Sequence, residues 1–163
     1  MTETIHINAL QWLNERGVTI DHLAELVHFL QKDYIKNLTL EICTDNVRRV
    51  LAKREVQNAV LTGIHLDRLA ETGRLDEPLL EMIRRDESLY GVDEVIALSI
   101  VNVYGSIGLT NYGYIDKMKP GILKRLNDRT TGECHTFLDD IVGAIAAAAS
   151  SRIAHHANGA GRP

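Results

Sequence analysis

Apolar residues recur along this chain at spacings of three and four, the periodicity of helices with one buried face. Ile5 to Glu15 is predicted as a short helix closed by Gly17. Thr19 then caps a helix whose Ile20, Leu23, Ala24, Val27, Leu30 and Tyr34 fall on one side. Thr39 is a second cap, opening a helix that turns Ile42, Val47, Val50 and Leu51 inward. That pattern runs on or breaks near Arg54 and continues through Val56, Val60, Ile64 and Leu69 to Gly73. Pro78 suits the first turn of a short helix from Leu79 to Arg85, where a missing amide hydrogen costs nothing.

Two later segments differ. Val92–Tyr104 and Phe137–Ala149 are apolar all round, the second through Ile141, Val142, Ile145 and a run of alanines. Such helices are expected at the centre of a bundle. Between them, Gly105–Asp116 carries Gly105, Gly108 and Gly113 with Ser106, Thr110 and Asn111, which reads as loop. Lys119-Pro120-Gly121 opens a short helix through Ile122, Leu123 and Leu126, and Thr130-Thr131-Gly132 is a turn. Neither a repeat nor a convincing strand is visible. The expected fold is therefore all-α: a compact single-domain helical bundle over residues 1–157, a buried central helix surrounded by others, with 158–163 as a disordered tail.

Bulk composition agrees with this picture. The 163 residues suit one core, and the scarcity of proline (3) and aromatics (5%) favours helices over strands. A net charge of −4 offers no basic face for nucleic acid, so no nucleic-acid partner is expected. Cys43 and Cys134 are too few for a disulfide framework, Met1–Leu10 lacks the pattern of a secretion signal, and no run approaches the roughly 20 apolar residues of a membrane span. The expectation is a cytoplasmic protein without a transmembrane segment, at most peripheral at the inner membrane face. Several amphipathic helices in a short chain also need cover, which points to a homo-oligomer.

The chemistry concentrates in acidic pairs. Asp93-Glu94 and Asp139-Asp140 each stand near the start of one of the two apolar helices. Carboxylates in a first turn interact favourably with the helix dipole, by about 0.3–1 kcal/mol, so capping explains either pair alone. Adjacent helical residues point about 100° apart, however, so one acid of a pair can face water while the other is driven inward. A buried carboxylate must be paired or bind a cation. Inward acids from facing helices, with Asp116 as a further oxygen, suit Mg²⁺ or Mn²⁺; the competing explanation is Arg or Lys partners. Lys117, Lys119, Lys124, Arg125 and Arg129 follow Asp116, either as a solvated face or as cations for a phosphate held beside the metal. Cys134 is not followed by the arginine six positions on that a cysteine phosphatase loop needs; Asp140 stands there. His135 is a candidate proton donor or a plain structural histidine, and Glu41 and Glu55 are weaker candidates to complete a site. The remaining histidines lack zinc-ligand spacing.

These residues resemble the phosphatidylglycerophosphatase A family. Its Asp-Glu pair opening an apolar helix, its D-x-x-K-P block, its Asp-Arg step and its L-D-D ending close to small residues are similar to Asp93-Glu94, Asp116-Lys117-Met118-Lys119-Pro120, Asp128-Arg129 and Leu138-Asp139-Asp140 followed by Gly143-Ala144, in the same order. The chain looks closest to the shorter, soluble Gram-positive branch described as low-temperature-requirement C-like. Typical members add membrane-spanning segments and a glycine-rich G-T-x-G-S block, for which Leu61-Thr62-Gly63 is at best a remnant. The resemblance implies an all-helical fold and Mg²⁺-dependent hydrolysis of a phosphate monoester, by family phosphatidylglycerophosphate to phosphatidylglycerol. Asp93, Glu94, Asp116, Asp139 and Asp140 would hold the metal, Asp139 and Asp140 would also be catalytic, and Lys117 and Lys119 would neutralise phosphate oxygens. The expected partner is a phosphate ester, either a phospholipid headgroup or a water-soluble compound. The alternative is a non-catalytic helical protein that retains a metal and phosphate site, for example in cold adaptation.

Overall fold

The computed structural model describes residues 1–159. Among them are nine α-helices and no strand: α1 (Thr2–Glu15), α2 (Ile20–Gln31), α3 (Leu40–Leu51), α4 (Arg54–Glu71), α5 (Leu79–Arg85), α6 (Val92–Val101), α7 (Ser106–Met118), α8 (Ile122–Leu126) and α9 (Leu138–Gly159). The predicted caps are present. The Thr19 hydroxyl accepts from the His22 N–H at 3.2 Å, and the Thr39 hydroxyl accepts from the Ile42 N–H at 3.2 Å.

One helix is the axis. α9 packs against α2, α3, α4, α6, α7 and α8, and Ala144 and Ala146–Ala149 are wholly buried along it. Small side chains there let neighbouring helices approach, which is why an alanine run lies at the centre of this core. The expected central helix is thus α9. The reading of Val92–Tyr104 as a second helix buried on every side is corrected: α6 ends at Val101 in a 3₁₀ turn (Asn102–Tyr104), and Val92, Val95 and Val103 are exposed. Its Asp93, Ala97, Ile100 and Val101 stripe is buried, and Ile96 and Leu98 pack partly buried beside it.

The reading of Gly105–Asp116 as loop is also corrected, since Ser106–Met118 is a regular helix. Gly105, at φ 80°, is the only glycine of the three that supplies a turn. Gly108 instead serves packing: a Cβ there would lie 2.9 Å from Val101 Cγ1 and 3.2 Å from Ser151 Oγ. The tail expected from residue 158 largely lies outside the described residues, and α9 extends as far as Gly159.

Gly63 sets the separation of α4 and α9. An added Cβ would collide with Ile141 Cδ1 and stand 3.0 Å from Phe137 Cβ. Gly63→Val is expected to lower stability by about 2 kcal/mol, because overpacking a tight helix contact outweighs any gain in helix propensity. Urea denaturation checks this, and a variant as stable as the parent would show that the contact relaxes freely.

Candidate functional site

Helix geometry separates the members of the first acidic pair. Asp93 is buried on the inner stripe of α6, while Glu94, one position on, is exposed. In α9 both Asp139 and Asp140 are buried in the first turn. α6, the C-terminal end of α7 and the start of α9 meet around a cavity of about 310 Å³. It is lined by Asp86, Asp93, Glu94, Asp116, Lys119, Arg129, Asp139 and Asp140, with Glu87, Ser88 and Asn127. All five acids expected in a metal site therefore converge on one cavity.

Lys119 sits among them. It ends α7 in a left-handed conformation (φ 46°), from which its ammonium reaches Asp116 Oδ1 at 2.6 Å and Asp139 Oδ2 at 3.0 Å. Burial pushes this ammonium down, but Asp139 and Asp116 more than offset that and hold its pKa above the ordinary range. Arg129 on the rim donates to Asp86 Oδ2 at 3.0 Å and to the Arg85 carbonyl at 3.1 Å. Lys117 is exposed and does not line this cavity; Glu41 and Glu55 are exposed on α3 and α4, likewise away from it.

The carboxylates outnumber their cations. Burial, then the like charges of Asp139 and Asp93, push the Asp140 carboxyl up, and burial also raises Asp139. Lys119 contacts Asp139 and not Asp140, so the proton of this pair rests on Asp140. Among the described residues, no side chain donates to the carboxylates of Asp93 and Asp140, which line the cavity, and the buried Tyr112 hydroxyl has no partner. Tyr112 faces the same acids: after burial, Asp140, Asp116 and Asp139 raise its pKa. An all-oxygen donor set lining one cavity suits a hard divalent cation. Yet among the described residues no group of three or more His, Cys, Asp or Glu side chains already stands in position to hold an ion. The ammonium between Asp116 and Asp139 is one physical reason.

A second cavity of about 360 Å³ adjoins the first and shares Asp86, Asn127, Arg129 and Asp139 with it. Its far wall is Glu71, Arg84, Glu133, Cys134, His135 and Thr136. Several of these hold the start of α9. Asp67, fully buried on α4, accepts from the Phe137 N–H at 3.0 Å and the Leu138 N–H at 2.9 Å, so a residue distant in sequence caps α9. One turn on, Glu71 accepts from Arg16 (3.0 and 2.5 Å) and from the Cys134 N–H at 2.6 Å, while Arg16 also donates to the Cys134 carbonyl at 2.7 Å. Burial would raise Glu71, but Arg16 and the Cys134 amide bring its carboxyl below the ordinary range.

His135 lies 3.4 Å from Arg16 through Nδ1 and 3.0 Å from Glu133 through Nε2. Burial lowers its pKa, so the imidazole is neutral. The arrangement fits a proton on Nε2 donated to Glu133, with Nδ1 facing the guanidinium. Cys134 is buried, and burial, followed by Asp67, raises its thiol, the opposite of a reactive thiolate. Sequence reasoning missed Asp67, Glu71, Arg16, Asp86 and Tyr112.

Residues 9–155 match the profile of the family described as Phosphatidylglycerophosphatase A. The chain belongs to this family. It is 73% identical to the uncharacterized protein YutG of Bacillus subtilis (strain 168) over 145 residues, covering 89% of this chain and 87% of that protein. The crystal structure of low temperature requirement C protein from Listeria monocytogenes superposes with a TM-score of 0.93 at 65% identity, over 94% of this chain and 97% of that one. A protein of unknown function from Bacillus stearothermophilus superposes at 0.92 with 71% identity, over 93% and 94% of the two chains. The resemblance to the low-temperature-requirement C branch is thereby borne out. No described helix is long and apolar enough to cross a membrane.

Proposed function

We propose that this chain is a divalent-cation-dependent phosphatase acting on a phosphate monoester in the acidic cavity. The observation that carries this reading is the convergence of Asp93, Asp139 and Asp140, all buried, with Asp116 and Glu94 on one space beside Lys119 and Arg129. Those five acids would hold Mg²⁺ or Mn²⁺, and a bound cation supplies Lewis acidity towards a phosphoryl group. The chain's own part is electrostatic. Lys119 and Arg129 provide positive charge for phosphate oxygens at the cavity and on its rim. The adjoining cavity, polar along Arg84, Asn127, Glu133 and His135, is placed to receive the alcohol side of the ester.

Phosphatidylglycerophosphate is the substrate that family membership suggests. Leu89, Val92 and Val95 are exposed and neighbour the cavity-lining Ser88, Asp93 and Glu94 in sequence, which is compatible with a headgroup approached from a membrane surface. Among the described residues no three-residue ion site is preassembled, which favours a second reading, a binding protein without turnover. A phosphate-release screen with and without Mg²⁺, using phosphatidylglycerophosphate in vesicles and soluble glycerol phosphates, separates the two. Release that needs Mg²⁺ is expected. Cation binding without release from either substrate class would leave only the binding reading.

A further inference from the structure

We infer that Lys119 is an exchanging cation: it neutralises the acidic cavity while no divalent ion is bound, and passes to the phosphate when an ion takes over Asp116 and Asp139. Cation and phosphate would then bind cooperatively. This inference rests on the metal site proposed above and adds a partner exchange to it.

The contacts of Lys119 carry the argument. Its ammonium donates to Asp116 Oδ1 and Asp139 Oδ2 at 2.6 and 3.0 Å, two of the oxygens a cation in this cavity would need. An ion and an ammonium repel each other and compete for these oxygens, so each weakens the other's hold on them. While Lys119 is there, the remaining buried acids, Asp93 and Asp140, are left without hydrogen-bond donors. One ammonium thus satisfies part of a cluster whose total charge calls for more.

The residue is also able to leave. The side chain of Lys119 is 27% exposed, whereas that of Asp139 is 8% exposed, so the lysine approaches from the solvent side. Its four-carbon stem can swing outward without any change in the backbone. Arg129 does not share this role, because its partners are Asp86 and the Arg85 carbonyl at the rim, not Asp116 or Asp139. A released ammonium at the mouth of an acidic cavity needs an anion, and a phosphate drawn to the bound cation provides one. By linkage, each ligand must then strengthen the other.

Isothermal calorimetry of Mn²⁺ binding to the full chain tests this, with and without inorganic phosphate at constant ionic strength. Lys119→Met is expected to bind Mn²⁺ at least tenfold more tightly than the parent in the absence of phosphate. Phosphate should tighten Mn²⁺ binding to the parent at least fivefold, and to Lys119→Met less than twofold. Lys117→Met removes the same charge from an exposed neighbour and should stay within twofold of the parent. Lys119→Gln, whose amide can still donate to Asp139, should move in the same direction by less and serves if the Met variant does not fold. Exchange is overturned if Lys119→Met binds no more tightly, if Lys117→Met tightens equally, or if phosphate coupling survives in Lys119→Met. Absence of Mn²⁺ binding by the parent and every variant would remove the proposed metal site as well.

Discussion

Replacing Asp140 with asparagine is expected to abolish Mg²⁺-dependent phosphate release while making the ion-free protein more stable. Both effects come from one environment. Asp140 is buried between Asp139 and Asp93, and among the described residues nothing donates to its carboxyl. In the proposed enzyme it is a principal ligand, so activity should fall by about 10²-fold or more, the scale set by losing one electrostatic group at a reacting centre. Without an ion, the folded chain must take up a proton to keep this carboxyl neutral beside Asp139 and Asp93, a cost the unfolded chain does not bear. The neutral isostere should add about 1 kcal/mol, which for a chain of this size is roughly 2–4 °C in Tm.

The pH dependence has a definite sign. The folded Asp140 carboxyl keeps its proton to higher pH than the ordinary value of 3.8 expected for the unfolded chain. Across that interval the native state binds more protons, so this group's contribution to stability is lost as pH rises. Thermal melts in a chelator from acid to mildly alkaline pH should therefore slope downward for the parent and less steeply for Asp140→Asn. Adding Mg²⁺ should flatten the parent alone. If the variant is instead less stable at every pH and retains phosphate release, the cavity is not a cation site.

Much of this arrangement was legible in the chain before its folding was known, and the exceptions have physical causes. The carboxylate pairs could be read because helical geometry forces adjacent residues apart. Asp93 inward and Glu94 outward follow directly from it. Periodicity could not distinguish α6 from α9, since both are apolar all round. What separates them is side-chain size. Alanines admit neighbours on every side, whereas the valines of α6 leave Val92 and Val95 uncovered. Glycines misled the reading of α7 because glycine allows both unusual backbone and close packing, and Gly108 is there for the second reason.

The supporting residues were harder to see. Arg16, Glu71 and Asp86 are single charges on helices or at a helix end, indistinguishable in sequence from a solvated face. Asp67 did leave a trace. It falls on the inward stripe of α4, three positions after Ile64 and three before Ala70, where an acid has no reason to be unless something buried needs an acceptor. That something is the start of α9. Its partners, Phe137 and Leu138, lie 70 and 71 residues away, and no local pattern could have named them.

Asp67→Ala should accordingly be among the most damaging substitutions outside the acidic cavity. It removes the acceptor of two buried amides at once, and each unsatisfied donor costs about 1–3 kcal/mol, so a loss of roughly 3–5 kcal/mol is expected. Asp67→Asn, which keeps one acceptor oxygen but turns an NH₂ towards the other amide, should lose about half as much. Urea denaturation measures the totals, and hydrogen exchange at Phe137 and Leu138 locates them. Because Asp139 and Asp140 stand in the same first turn of α9, a frayed start to that helix should also weaken Mn²⁺ binding, although Asp67 lies outside the cavity they line. Unchanged stability with unchanged exchange at these two amides would mean that Asp67 does not cap α9, and that Arg16 and Glu71 fix the position of the acidic pair by themselves.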